Sequence, residues 1–146
     1  YALDLPRGKP RPISSEGLEV NRFGNAISPD GRFVAATDSS RRLVLCSPEG
    51  GEPRPVPGAE PGDLALRWSE DGRSLYTHRA GELPARIWRL DLTTGRKELI
   101  RELAPHDPAG VTSIETILLT PDGDSYAYSY AQNLSDLYVF EGLGRK

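Results

Sequence analysis

Three aspartates, each followed by a glycine, are the side chains whose repeated setting first suggests chemistry. Carboxylates of this kind could bind a metal ion or exchange protons with a substrate. The glycines that follow them are 41 and 51 residues apart (72 − 31 and 123 − 72), too far for the carboxylates to share one ion. Aspartate in a turn accepts hydrogen bonds from its own backbone, and glycine supplies a positive φ. We therefore predict structural turns at Asp30-Gly31, Asp71-Gly72 and Asp122-Gly123.

Histidine, cysteine and serine add little that points to catalysis or metal binding. Cys46 is the only cysteine, so neither an intrachain disulfide nor a cysteine metal cluster can form. His78 and His106 lack the partners and spacing of a zinc site, which predicts a packed His78 and a solvated His106. No Gly-x-Ser-x-Gly elbow and no phosphate-binding glycine loop with its lysine is present. The sequence thus predicts a chain that is not an enzyme and holds no metal or cofactor.

The elements that must position these turns repeat along the chain. An Asp-Gly pair between two strand-like runs is a strong hairpin signal, and further strand-like runs follow each such hairpin. The second unit alternates most clearly, because Trp88, Leu90 and Leu92 fall on one face of its third strand. The predicted strands are 1–5, 11–13, 25–28, 33–37, 42–46, 54–56, 64–69, 74–78, 86–92, 97–103, 114–120, 125–130 and 136–140.

Units of four strands in roughly 40 to 50 residues are typical of propeller blades. The sequence therefore predicts an all-β protein, a β-propeller of four-stranded antiparallel blades, with about three blades and part of another in this chain. We assign residues 1–20 to the end of a blade, 21–58 and 59–104 to two blades, and 105–146 to a blade that lacks its last strand.

A closed propeller usually has roughly 4 to 8 blades, so this chain would form either an open arc or part of a larger ring. An arc would leave strand edges unpaired, which favours association of repeat units. We therefore expect a homodimer in which two copies complete one ring. The alternative is a natural protein that carries further blades and closes without a partner.

Composition disfavours two classes of partner. The 146 residues carry 18 Lys and Arg against 21 Asp and Glu, and the net charge of -3 argues against binding to nucleic acid. No apolar run reaches the roughly 20 residues that span a bilayer, so we predict no direct membrane insertion by this segment. Gly 15 and Pro 13 fit a fold of many short strands joined by turns.

The predicted functional surface is the rim of loops, because rigid strands present neighbouring loops together. The rim candidates carry both signs of charge, which fits a protein, a peptide or a small polar ligand better than an anionic polymer. The alternative is a solvated rim that binds nothing. The candidates are Arg22, Glu60, Arg79, Glu82, His106, Asp107 and Asn133.

Three tyrosines alternate with small residues near the end of the chain. Tyr126, Tyr128 and Tyr130 therefore share one face of a predicted strand. Such a face either packs against a neighbouring blade, with its hydroxyls at the rim, or stacks on a ligand. We predict packing between blades.

The repeat turns also carry a family resemblance that extends over nearly the whole chain. The runs Ile27-Ser28-Pro29-Asp30-Gly31-Arg32 and Leu119-Thr120-Pro121-Asp122-Gly123 resemble the TolB-like propeller repeat, a relative of the WD-repeat. The second unit departs from this pattern with Glu70 in place of proline, which leaves the shape of that turn open. The run from Asn133 to Leu143 is similar to the tail of propellers fused behind bacterial serine/threonine protein kinase domains.

The resemblance implies a sensory or scaffolding propeller with no shared catalytic residues, held outside the inner membrane as part of a membrane-anchored bacterial protein. We therefore expect a noncatalytic binding module of a larger bacterial signalling protein, whose parent would be a serine/threonine protein kinase. The alternatives are an accessory propeller of a hydrolase or of an envelope transport assembly, and an isolated repeat fragment that assembles into a ring.

Overall fold

A computed structural model of the chain describes residues 1, 3, 6, 8–14, 16–21 and 24–139. The described residues form nine β-strands in three antiparallel sheets and contain no helix. They accordingly include no helix of the length and apolar character needed to cross a membrane. The predicted all-β class is confirmed.

Each sheet contains strands that are consecutive in the chain. The first sheet is β1 (Val34–Thr37), β2 (Leu43–Cys46) and β3 (Arg54–Pro55). The second sheet is β4 (Asp63–Trp68), β5 (Ser74–Arg79), β6 (Ala85–Asp91) and β7 (Lys97–Leu103). The third sheet is β8 (Val111–Leu119) and β9 (Tyr126–Gln132). Every neighbouring pair is antiparallel, as expected for strands joined by short turns.

The three Asp-Gly turns share one hydrogen-bond pattern. In each, a hydroxyl two residues before the aspartate donates to its carboxylate, as Ser28 Oγ does to Asp30 Oδ1 at 2.6 Å. The backbone nitrogen two residues after the aspartate also donates to that carboxylate, at 3.0 Å in all three turns. The glycines have φ values of 71°, 68° and 79°, a region that disfavours side chains. Glu70 leaves this pattern unchanged in the second turn.

These hydrogen bonds also set the acidity of the turn aspartates. The pKa values of Asp30, Asp71 and Asp122 lie below the usual value, first because a Ser or Thr hydroxyl donates to each carboxylate. A backbone N–H makes the next contribution in each turn. The carboxylates are therefore held ionised by the turn itself.

Several predicted strands differ from those observed. Residues 25–28 form no continuous strand, because Asn25 bridges to Arg67 of the second sheet while Ile27 bridges to Val34 of the first. Residues 136–139 form no strand either, and 140 lies outside the described part. The apolar side chains there are 75–90% exposed, so no packing stabilises an extended pairing.

The first predicted strands are also only partly described. Tyr1 and Leu3 are not in a strand, and residues 2, 4 and 5 lie outside the described part. Within 11–13, Arg11 makes a single bridge instead of a strand. The sheets thus have three, four and two strands, whereas the sequence predicted four strands in each of the blades 21–58 and 59–104 and three in 105–146.

Two core layers lie one on each face of the second sheet, and a smaller buried cluster of Ala36, Val44 and Cys46 lies in the first sheet. Between the first and second sheets lie buried side chains that include Leu43, Trp68 and Leu75. Between the second and third sheets lie others that include Ile87 and Ile117. Both faces of the second sheet are therefore covered, which makes it the rigid support for the loops at its ends.

Candidate functional site

Three of the predicted rim residues meet at one end of the second sheet. Arg79, the last residue of β5, places Nη2 at 2.9 Å from Glu60 Oε2. Its Nη1 lies 3.9 Å from Glu82 Oε1, in the loop between β5 and β6. The loop that contains Glu60 leads into β4, and β4 pairs with β5 so that Asp63 lies opposite Arg79. Strand pairing thus brings these two loops together at the end of β5.

Asp63 is the centre of this cluster, and its role was not predicted from the sequence. Its side chain is only 2% exposed and lies 3.2 Å from Arg79 Nη2 and 2.6 Å from Lys97 Nζ. The backbone nitrogen of Glu60 donates to the same carboxylate at 2.9 Å. A buried carboxylate is stabilised only by such partners. The Asp63–Arg79 pairing follows from the hairpin, whereas Lys97 is 34 residues away in sequence and no local pattern links it to Asp63.

An open groove lies against the cluster. Its volume is about 400 Å³. Lys97 Nζ lies 5.4 Å from the centre of the Trp88 ring, within the range of a cation–π interaction. Arg86 pairs with Glu102 at 2.9 Å, and both of these side chains are about half exposed. The lining residues are Gly58, Glu60, Asp63, Arg79, Glu82, Arg86, Trp88 and Lys97.

Ion pairs favour the charged forms of Arg79 and Arg86. The pKa of Arg79 is raised, chiefly by its hydrogen bond to Glu60, and the pKa of Arg86 is raised chiefly by Glu102. Next to the cluster, burial lowers the pKa of His78, and the negative charge of Asp63 opposes that effect. At neutral pH His78 is therefore uncharged.

Two atoms of the cluster retain unused hydrogen-bonding capacity. Arg79 Nε, a donor, and Glu82 Oε2, an acceptor, are buried and have no hydrogen-bond partner in the described part of the chain. Leaving such groups unpaired costs about 1–3 kcal/mol each. The side chains of Arg79 and Glu82 are 36% and 28% exposed and line the groove, so both side chains border solvent.

The remaining rim candidates lie elsewhere. The backbone nitrogen of Asn133 donates to the carbonyl of Gly110 at 2.8 Å, which joins the end of β9 to the loop before β8. In that loop Asp107 accepts a hydrogen bond from the backbone of Ala109, and the His106 side chain is exposed. In the described part of the chain, no hydrogen bond or ion pair connects these residues to the Asp63 cluster. Arg22 lies outside the described residues.

The tyrosines of β9 line one face, as the alternation predicts. The ring centres of Tyr126 and Tyr128, and those of Tyr128 and Tyr130, are 6.3 Å apart. Tyr128 packs against the core between the second and third sheets, and its hydroxyl donates to the Ala104 carbonyl at 2.9 Å. Tyr126 and Tyr130 are 41% and 45% exposed, so the outer part of this face is open.

Comparison with known proteins gives limited results. No family model matches the chain, and no curated protein matches it. The chain is similar to a solved structure from Bacteroides uniformis, named as "a putative 6-phosphogluconolactonase", at 23% identity and a TM-score of 0.44. The match covers 77% of this chain and 33% of that one, so this chain spans about a third of that protein.

These comparisons correct one prediction and leave others as they were. The prediction that the chain is not an enzyme is wrong as it stands, because a protein that the chain is similar to is named as an enzyme. We do not retain that prediction, and a similarity of this size assigns no activity to this chain. The TolB-like repeat and the link to a kinase remain predictions. With the all-β class confirmed, the chain has no family assignment beyond its fold class.

Proposed function

We propose that the chain is a segment of a TolB-like β-propeller, in which the three sheets are successive blades. The repeated hydrogen-bond pattern of the three Asp-Gly turns supports this arrangement, because equal turns directly before β1, β5 and β9 are what a structural repeat requires. The two core layers support it as well, since each face of the second sheet packs on a neighbouring sheet.

The proposed function is recognition of a peptide or a small polar ligand in the groove beside Asp63. One observation carries it: Arg79 Nε and Glu82 Oε2 are a donor and an acceptor without partners, at the edge of a groove lined by both charges. A peptide backbone offers an acceptor and a donor in close succession, which would satisfy both atoms. Trp88 supplies an apolar surface beside them.

In the parent protein, occupancy of this groove would alter the orientation or association of an attached kinase domain. The family resemblance of the repeat motivates this part of the proposal. Its test is the full open reading frame that contains this chain, which should encode a kinase catalytic loop on the amino-terminal side. A frame that encodes no kinase motif would remove the signalling part and leave the binding proposal intact.

The binding proposal is tested by selecting peptides from a random displayed library on the wild-type chain. The affinity of the selected peptides is then measured by calorimetry for Glu82→Ala and for Trp88→Ala. We expect each variant to weaken binding at least about tenfold, equivalent to about 1.4 kcal/mol. Glu82 is the preferred site of change, because its contact with Arg79 is loose and its removal leaves Asp63 paired.

A matched control separates the groove from the general surface. Arg42→Met removes a cation whose partner is Asp38, away from the groove, and should leave peptide affinity unchanged. Selected peptides that bind the Glu82→Ala and Trp88→Ala variants as tightly as the wild type would place recognition elsewhere and refute the proposed site.

A further inference from the structure

The outer edges of the three sheets differ in how they are protected against pairing with another strand. The edge strand of the first sheet, β3, is two residues long and contains Pro55. The edge strand of the second sheet, β7, has four charged residues among its seven. Short length, proline and charge are the usual means by which proteins block strand edges. Both of these edges are therefore protected.

The edge of the third sheet lacks all of these protections. Its outer strand, β9, reads Tyr-Ala-Tyr-Ser-Tyr-Ala-Gln from Tyr126 to Gln132 and contains neither a charge nor a proline. Its only strand partner among the described residues is β8, so no strand in the described part of the chain pairs with its second edge. Most of its side chains are exposed. A long, uncharged strand rich in aromatic residues is suited to accept another strand.

The sequence of β9 is nearly the same in both directions about Ser129. If a second copy of β9 pairs antiparallel with the first at this centre, Ser129 lies opposite Ser129 and Ala127 lies opposite Ala131. Tyr128 then lies opposite Tyr130, and aromatic pairs of this kind stabilise antiparallel strands. No charged side chain of one strand meets a charge of the other. Self-complementarity is the requirement of a two-fold interface.

We propose that β9 is a homodimerisation edge, through which two copies of the chain join their third sheets into one continuous four-stranded sheet. This interface is two-fold symmetric and differs from a ring in which copies share blades. The apolar side chains that follow β9 are 75–90% exposed, namely those of Leu134, Leu137, Tyr138 and Val139. The proposal is independent of what the Asp63 groove binds.

The mass of the wild-type chain in solution is the first test. Sedimentation at about 100 μM should give twice the monomer mass of 16.0 kDa. Ser129→Lys places two like charges opposite each other and should weaken dimerisation at least about tenfold. Leu99→Lys adds the same charge to an exposed position of the protected β7 edge and should leave the dimer unchanged. Circular dichroism verifies that both variants keep the fold.

Cysteine cross-linking tests the register. In an antiparallel pair, facing residues have Cα atoms about 4.5–5.5 Å apart, within the range of a disulfide. In a Cys46→Ser background, Ser129→Cys alone should cross-link to itself on mild oxidation, whereas Ala127→Cys should cross-link to Ala131→Cys in a mixture of the two. A monomeric wild-type chain would overturn the proposal. A dimer that resists Ser129→Lys, or one without the Ser129→Cys cross-link, would also overturn it.

Discussion

Replacing Asp63 by asparagine changes the one buried carboxylate of the charged cluster while keeping its size and an acceptor oxygen. The side chain is 2% exposed and contacts Arg79 at 3.2 Å and Lys97 at 2.6 Å. After the change, both cations lose their buried partner, and only Glu60 remains within salt-bridge distance of both. The backbone N–H of Glu60 can still donate to the asparagine oxygen.

The size of the effect follows from burial. Removing one partner of a buried ion pair typically costs about 3–5 kcal/mol. The side chains of Arg79 and Lys97 are 36% and 17% exposed, so water partly solvates each cation after its ion pair with Asp63 is lost. We therefore expect the free energy of unfolding to fall by about 3 kcal/mol, the lower end of that range. The matched change Glu102→Gln breaks a pair with Arg86 that is about half exposed and should cost about 0.5 kcal/mol.

Urea denaturation followed by circular dichroism measures both changes. A double-mutant cycle with Lys97→Met then isolates the Asp63–Lys97 interaction, and we expect a coupling energy of about 1–3 kcal/mol. If Asp63→Asn costs no more than Glu102→Gln, or if the cycle gives no coupling, then the buried carboxylate does not organise the cluster and the reasoning fails.

Two further predictions concern pH and the repeat turns. Burial lowers the pKa of His78, so the unfolded chain takes up a proton near pH 6.5 while the folded chain does not. The free energy of unfolding should be constant above about pH 6.5 and fall by up to about 1.4 kcal/mol per pH unit below it. Urea midpoints measured across this pH range should therefore fall in the wild type and fall less steeply in His78→Gln. Midpoints that do not change with pH in the wild type, or that fall equally steeply in His78→Gln, would contradict this prediction. Gly123→Ala places a methyl group 2.6 Å from the hydroxyl of Tyr76 at a φ of 79° and should cost about 2–3 kcal/mol. Gly31→Ala, at a φ of 71° with open space around it, should cost only about 1 kcal/mol, and equal losses of melting temperature in the two variants would count against the contact with Tyr76.

Local sequence predicted the hairpins of this protein well. An Asp-Gly pair favours a turn because aspartate accepts hydrogen bonds from nearby backbone and glycine readily takes a positive φ. The hydroxyl two residues before the aspartate completes the turn without help from distant residues. The strands of the second sheet were predicted within two residues of their observed bounds for the same reason, since alternation is a local property. Residues 25–28 and 136–139 were predicted less well, because a strand forms only where a neighbour supplies hydrogen bonds and packing.

The sequence by itself determined the all-β class, the turns and the approximate strands, because these depend on residues close together in the chain. It also grouped Glu60, Arg79 and Glu82 as rim residues. Only the tertiary structure decided that Lys97 reaches Asp63 and that no strand of the described residues covers the second edge of β9. Both facts depend on which strands come together over long sequence separations, where the packing of whole sheets outweighs any local preference.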